Sequence, residues 1–222
     1  MRMRMIVAVS MLCTGLVAAA GAQTPAPPAS AGTPEVKLPS SPTGQSAVQI
    51  GGTWQAGDGG QRYTGGKWIV VDYGRPLLRA RKNIFGSGAE YGKVVSDGAP
   101  VWRAGANATT TLTTQVPLLL GGKTIAPGVY NVFVDLKPGN WSLVLNTQER
   151  QPRYDPTDKV KLYGAYNYDS KQDVVRVPMR METSDVTIEQ FTIGFVNATD
   201  RGVTMLMVWE TTCGEVDLAV AK

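Results

Sequence analysis

"VYNVFVDLKPGNWSLVLN" (residues 129–146) carries two apolar alternations separated by a proline-glycine turn. Tyr130, Val132, Val134 and Leu136 share one face of an extended chain, because side chains two residues apart point the same way. Trp141, Leu143 and Leu145 repeat the pattern after Lys137-Pro138-Gly139-Asn140, where Gly139 suits a positive φ. Two period-two runs joined by a short turn read as antiparallel strands with one buried face.

The same period extends in both directions. "KWIVVDY" (67–73) is β-branched and aromatic, and "TTTLTTQVPLLL" (109–120) ends at Gly121-Gly122, a hairpin signal. Val175, Val177 and Met179 alternate, as do Phe191, Ile193 and Phe195. After the turn "TDRG" (199–202) come Val203, Met205, Met207 and Trp209, and then Val216, Leu218 and Val220. Turns every eight to twelve residues predict an all-β fold, a single antiparallel β-sandwich or jelly-roll-like domain. Two stretches, 51–66 and 147–164, resist strand assignment and read as long loops, the usual carriers of binding on a rigid sheet.

The amino terminus has a different character. Arg2 and Arg4 precede an apolar stretch, 6–20, and the small residues Ala20-Gly21-Ala22, the pattern of an export signal over 1–22. That stretch is too short for a membrane span, and no later one approaches it. Residues 23–45, rich in Pro, Ala, Ser and Thr, read as a flexible or polyproline-like tether. The working domain is therefore expected over 46–222, exported to the periplasm or the cell exterior.

Removing the signal changes the charge and the cysteine count. Of 22 Lys and Arg, Arg2 and Arg4 leave, so 20 face 18 acids and the formal charge falls from +4 to +2. A nearly neutral domain lacks the electrostatic footprint of a nucleic-acid binder. Cys13 leaves as well, so Cys213 has no disulfide partner within the mature chain and reads as a small core residue. The chain has no histidine, which excludes a Ser-His-Asp or Cys-His centre and a His/Cys zinc site. No cofactor or metal is expected. Asp155 and Asp158 lack the run of oxygen ligands of a calcium loop and read as a solvated turn. Sequons begin at Asn107, Asn140 and Asn197.

The segment "VDYGRPLLRARKNIFG" (71–86) places three arginines directly behind a strand. Tyr73-Gly74-Arg75-Pro76, Arg81 and Ile84-Phe85-Gly86 form one block, and Tyr91-Gly92-Lys93 with Trp102-Arg103-Ala104-Gly105-Ala106-Asn107 a second. "GGKTIAPGVYNVF" (121–133) and "YGAYNYD" (163–169) are a third and a fourth. In this order the blocks resemble an exported bacterial family, domain of unknown function 2911, from Trp68 to the C-terminus. Two positions depart: Ala108 stands where the family has glutamate, and Tyr163 where it has tryptophan. The resemblance implies export and one β domain, and it implies no activity.

A guanidinium offers a rigid fork of donors to carboxylate, phosphate or carbonyl oxygens. Arg75, Arg81, Lys93, Trp102, Arg103 and Asn107 are the candidate lining of a pocket for an anionic or sugar-like ligand. Tyr166, in the cluster Tyr163, Tyr166 and Tyr168, is the candidate stacking residue. The competing expectation is that the arginines tie down loops by donating to carbonyls or to acids such as Asp72, and that the tyrosines pack a loop. At the level of function, a non-catalytic binding or structural module stands first. A carbohydrate hydrolase or lyase stands second and would need two of Asp72, Glu90 and Asp97 across one cleft.

Overall fold

In chain order, β1 (Thr43–Ile50) leads into a hairpin of β2 (Thr53–Gly57) and β3 (Gly60–Thr64), then β4 (Lys67–Gly74). A loop bearing the helical turn α1 (Lys93–Ser96) precedes β5 (Thr111–Thr114), β6 (Leu118–Leu120), β7 (Lys123–Ile125), β8 (Gly128–Asp135) and β9 (Ser142–Asn146). A second loop precedes β10 (Asp173–Pro178), and the pair β11 (Arg180–Thr199) and β12 (Gly202–Val220) ends the order. The structure is a computed structural model that describes residues 36–221. The expected export signal and the tether up to residue 35 lie outside them. All these elements belong to the unit Leu38–Lys222.

The strands form an all-β sandwich. One antiparallel sheet has the order β1-β4-β5-β8-β9-β10, the other β11-β12-β6-β7. The chain changes sheet between β5 and β6, β7 and β8, and β10 and β11, and Pro117, Pro127 and Pro178 stand at those three changes. A proline nitrogen cannot extend a ladder and its φ is fixed, so each marks where a strand leaves its sheet. The run 109–120, expected as one strand, is accordingly broken at Pro117 into β5 and β6 in different sheets.

Between the sheets lies the core that the alternation described. Tyr130, Val132 and Val134 of β8 and Leu143 and Leu145 of β9 pack with Val175, Val177, Phe191, Ile193, Met205, Met207 and Leu218. At one end the packing is aromatic. The Trp102 ring centroid stands 4.9 Å from Phe191, 5.6 Å from Phe85, 6.1 Å from Trp141 and 6.3 Å from Trp209.

The opposite face of β8 and β9 is also covered. Phe133 and Val144 pack beneath Val101, Leu162 and Ala165, so the loop 147–168 closes the outside of that sheet. Its anchor is a buried cross-strand pair. Asn131 Nδ2 donates to Gln148 O (2.8 Å), and Arg150 Nη1 donates to Asn131 Oδ1 (2.7 Å). Asn146 Nδ2 donates to Asp173 Oδ1 (2.9 Å), and Asn146 Oδ1 accepts from Gln148 N (2.8 Å). Asp155 and Asp158 bond turn amides, Asp155 that of Thr157 and Asp158 those of Val160 and Lys161. Bonds from Thr157 to Asp155, and from Lys161 and Val160 to Asp158, hold both carboxyls below their ordinary range.

Two further expectations are corrected. Residues 51–66 are not a loop, for they form the β2–β3 hairpin with Trp54 opposite Tyr63. The runs around Phe191, Val203 and Val216 are parts of one long antiparallel pair, β11 and β12. Polar segments at 180–190 and 210–215 hid that continuity. The register shifts on both sides of the Ile188–Glu210 pair, with the extra residues bulging from β11, and Glu210 opposite them has a φ of +55°.

Candidate functional site

The arginine end is assembled where β4 finishes. Tyr73 Oη accepts from Ile193 N (3.0 Å) and donates to Ile193 O (3.2 Å), stitching β4 to β11 across the core. Arg75 continues the stitch. Its Nε donates to Phe191 O (3.3 Å) and its Nη2 to Thr192 Oγ1 (3.1 Å), while its backbone nitrogen donates to Pro42 O (2.8 Å). Arg75 therefore turns toward β11 and holds strands together.

Arg81 lies one turn further on. Its Nε and Nη2 donate to the carbonyls of Leu78 (2.9 Å) and Leu77 (2.6 Å), and its guanidinium sits 5.7 Å from the Trp209 ring centroid. Two acids from the long strands fix this loop. Glu189 accepts from Arg79 N (2.8 Å), and Glu210 accepts from Asn83 N (2.6 Å) and Ile84 N (3.0 Å).

The facing wall runs from α1 to Asn107. Trp102 exchanges two backbone hydrogen bonds with Val134 of β8, each 2.8 Å, and its indole donates to Gly105 O (3.2 Å). Arg103 then projects with its guanidinium 5.3 Å from the Tyr166 ring centroid. Its Nη1 donates to Asn107 O (3.1 Å), and Nη2 stands 3.8 Å from Asp97 Oδ2. The Tyr166 hydroxyl donates to the same Asp97 oxygen. That carboxylate, with burial, raises the Tyr166 phenol above its ordinary value against the opposing Arg103, so the phenol stays a donor at neutral pH. Asn107 Nδ2 donates to Ser41 O (3.1 Å).

Between the walls lies a cleft of about 320 Å³ lined by Arg81, Asp97, Trp102, Arg103, Asn107 and Trp209, among others. Four of the seven candidate residues, Arg81, Trp102, Arg103 and Asn107, thus meet at one cleft. Tyr166 backs Arg103. Arg75 is turned to β11, and Lys93 pairs with Glu90 at 2.8 Å. Trp102 is 1% exposed, so it supplies floor and not a stacking face.

Backbone strain gathers at the same place. Nine non-glycine residues among those described have positive φ. Six belong to the two walls: Arg79, Ala80 and Asn83 on one, Asp97, Ala104 and Asn107 on the other. An L-residue in the left-handed region costs roughly 1–2 kcal/mol, and asparagine and aspartate bear it best. Arg79, Ala80 and Ala104 have no such side-chain compensation.

Of the three acids weighed for carbohydrate cleavage, only Asp97 lines this cleft. Asp72 accepts from Gln45 Nε2 (2.7 Å) across β1 and β4, and Glu90 holds Lys93. Tyr168 is engaged by Asp173 and Arg176, so it braces β10. Cys213 is half-buried, and burial, then Glu215 and Glu182, push its thiol above the ordinary range, the opposite of an activated nucleophile. Two parts of the site escape a reading of the chain: Trp209 as the ring under Arg81, and the bond between Asp97 and Tyr166. Both join residues far apart in sequence, and no local spacing signals either.

The chain belongs to the family described as Protein of unknown function (DUF2911), whose family model matches residues 48–218. The match begins within β1 and so takes in the β2–β3 hairpin, which precedes the resembling blocks. No curated protein and no solved structure matches the chain.

Proposed function

We propose that the mature chain is a non-catalytic binding module, exported to the periplasm or beyond, whose arginine end takes a small anionic ligand such as an acidic sugar or sugar phosphate. The observation that carries this reading is the concentration of left-handed, non-glycine backbone in the two loops that flank one cleft, with Asp97 and Asn107 lining it. Strain of that kind persists where surrounding structure enforces it, and it clusters at ligand clamps.

Charge and chemistry support the same reading. Arg81 and Arg103 bring two positive charges to the cleft, each backed by an aromatic ring, against the single carboxylate of Asp97. A guanidinium already held in place loses less freedom on binding a carboxylate or phosphate. Turnover has little to work with, because one carboxylate and no imidazole leave the cleft without an acid–base pair. Export is supported by Arg2 and Arg4 ahead of an apolar stretch, and N-terminal sequencing of exported protein should begin at Gln23.

Calorimetric titration of residues 23–222 with galacturonate, galactose 1-phosphate and neutral galactose tests the reading. Saturable binding of an acid, stronger at low salt and absent for galactose, is the expected result. No binding of either acid up to about 1 mM, the weak end of specific affinity, would overturn it.

A further inference from the structure

The hairpin hidden in residues 51–66 builds a second cleft at the far end of β4. Trp54 and Tyr63 face each other across β2 and β3 with ring centroids 5.1 Å apart and planes tilted by 54°. Tyr63 is fixed in place. Its hydroxyl accepts from Gly52 N (2.7 Å), and its ring lies so close over Gly52 and Gly66 that a methyl on either would stand 2.5 Å from a ring carbon. Trp54 is not buried by this arrangement, remaining 65% exposed.

These rings wall a cleft of about 370 Å³, completed by Gln49 of β1 and by Ala198, Thr199 and Asp200 at the turn between β11 and β12. Thr199 Oγ1 is engaged by Gly202 O and Arg201 N. The Gln49 amide and the Asp200 carboxylate make no hydrogen bond or ion pair with any described residue. An amide supplies donors and an acceptor, and a carboxylate supplies acceptors only.

We infer that this cleft is a saccharide subsite that seats one neutral pyranose residue, with Trp54 and Tyr63 against its C–H face and Gln49 and Asp200 on its hydroxyls. An aromatic platform beside a few convergent polar groups is how small-ligand sites fix orientation. The carboxylate of Asp200 disfavours the acidic sugars that suit the arginine cleft. The two sites are separate: the eight residues of β4 place its ends roughly 23 Å apart. The subsite does not rest on the arginine cleft, and each reading can fail alone.

The test uses ¹⁵N-labelled protein, residues 23–222, titrated with neutral trisaccharides of glucose, galactose and N-acetylglucosamine. The Trp54 indole N–H resonance should shift and saturate with one of them. Trp54→Ala should weaken that affinity at least about tenfold, and Gln49→Ala about fivefold, one hydrogen bond's worth. Both should melt with the wild type, since Trp54 is largely exposed and the Gln49 side chain bonds no described residue. Arg81→Gln should leave this affinity unchanged. Failure of every sugar to saturate, or undiminished binding by both Trp54→Ala and Gln49→Ala, overturns the inference. An indole that responds only to an aromatic-rich peptide overturns it too, and assigns the hairpin to protein recognition.

Discussion

Trp102→Ala is expected to lower the thermal midpoint by roughly 6–20 °C. A buried tryptophan replaced by alanine costs about 3–5 kcal/mol, and each kcal/mol moves the midpoint of a domain this size by about 2–4 °C. The upper part of the range applies here for a structural reason. The Trp102 ring touches aromatic neighbours from four segments, Phe85, Trp141, Phe191 and Trp209, so the space it leaves has stiff walls that cannot collapse. Its indole also donates to Gly105 O, leaving that buried carbonyl unpaired. Differential scanning calorimetry measures the shift. A drop below about 3 °C would mean the aromatic cluster is not the keystone of the loop end.

Gly74→Ala should cost about 3 kcal/mol, the top of the usual range for overpacking. A methyl at Gly74 would overlap the carbonyl oxygen of Ala106, which is backbone and has no rotamer to escape into. Gly105 presses on the same strand end from the other side, where a methyl would lie 2.7 Å from Gly74 O. The end of β4 and the wall that carries Arg103 and Asn107 are thus in direct backbone contact. Denaturant unfolding should show a lower midpoint with an unchanged slope. The displaced Ala106 should also weaken ligand binding. A variant as stable as the wild type would show that the two segments are not pressed together.

Much of the architecture was legible because apolar side chains alternate where one face of a strand is buried. Tyr130, Val132 and Val134 read as a core face and are one. The hairpin at 51–66 was illegible for the complementary reason. Its strands are exposed along almost their whole length, so Thr53, Trp54, Tyr63 and Thr64 stood as isolated β signals among glycines and polar residues, with no alternation. The length of β11 was hidden likewise, since residues 182–190 bury nothing fully. At the site, the residue types could be named but their division of labour could not. Arg75 and Arg81 are six residues apart and chemically identical. One faces β11 and the other a cleft, because their partners Phe191, Thr192 and Trp209 are more than a hundred positions away.

That division of labour carries the functional reading, and one comparison tests it most directly. Galacturonate affinity and thermal midpoint are measured on the same preparations of wild type, Arg75→Ala and Arg81→Gln. Arg81→Gln should bind at least about tenfold more weakly while keeping a cooperative melt, because a guanidinium facing the ligand is gone. Arg75→Ala should lose stability and, below its midpoint, keep its affinity within about twofold. An Arg81→Gln variant that binds as tightly as the wild type, or an Arg75→Ala variant whose affinity falls as far as that of Arg81→Gln, would contradict the assignment of the cleft.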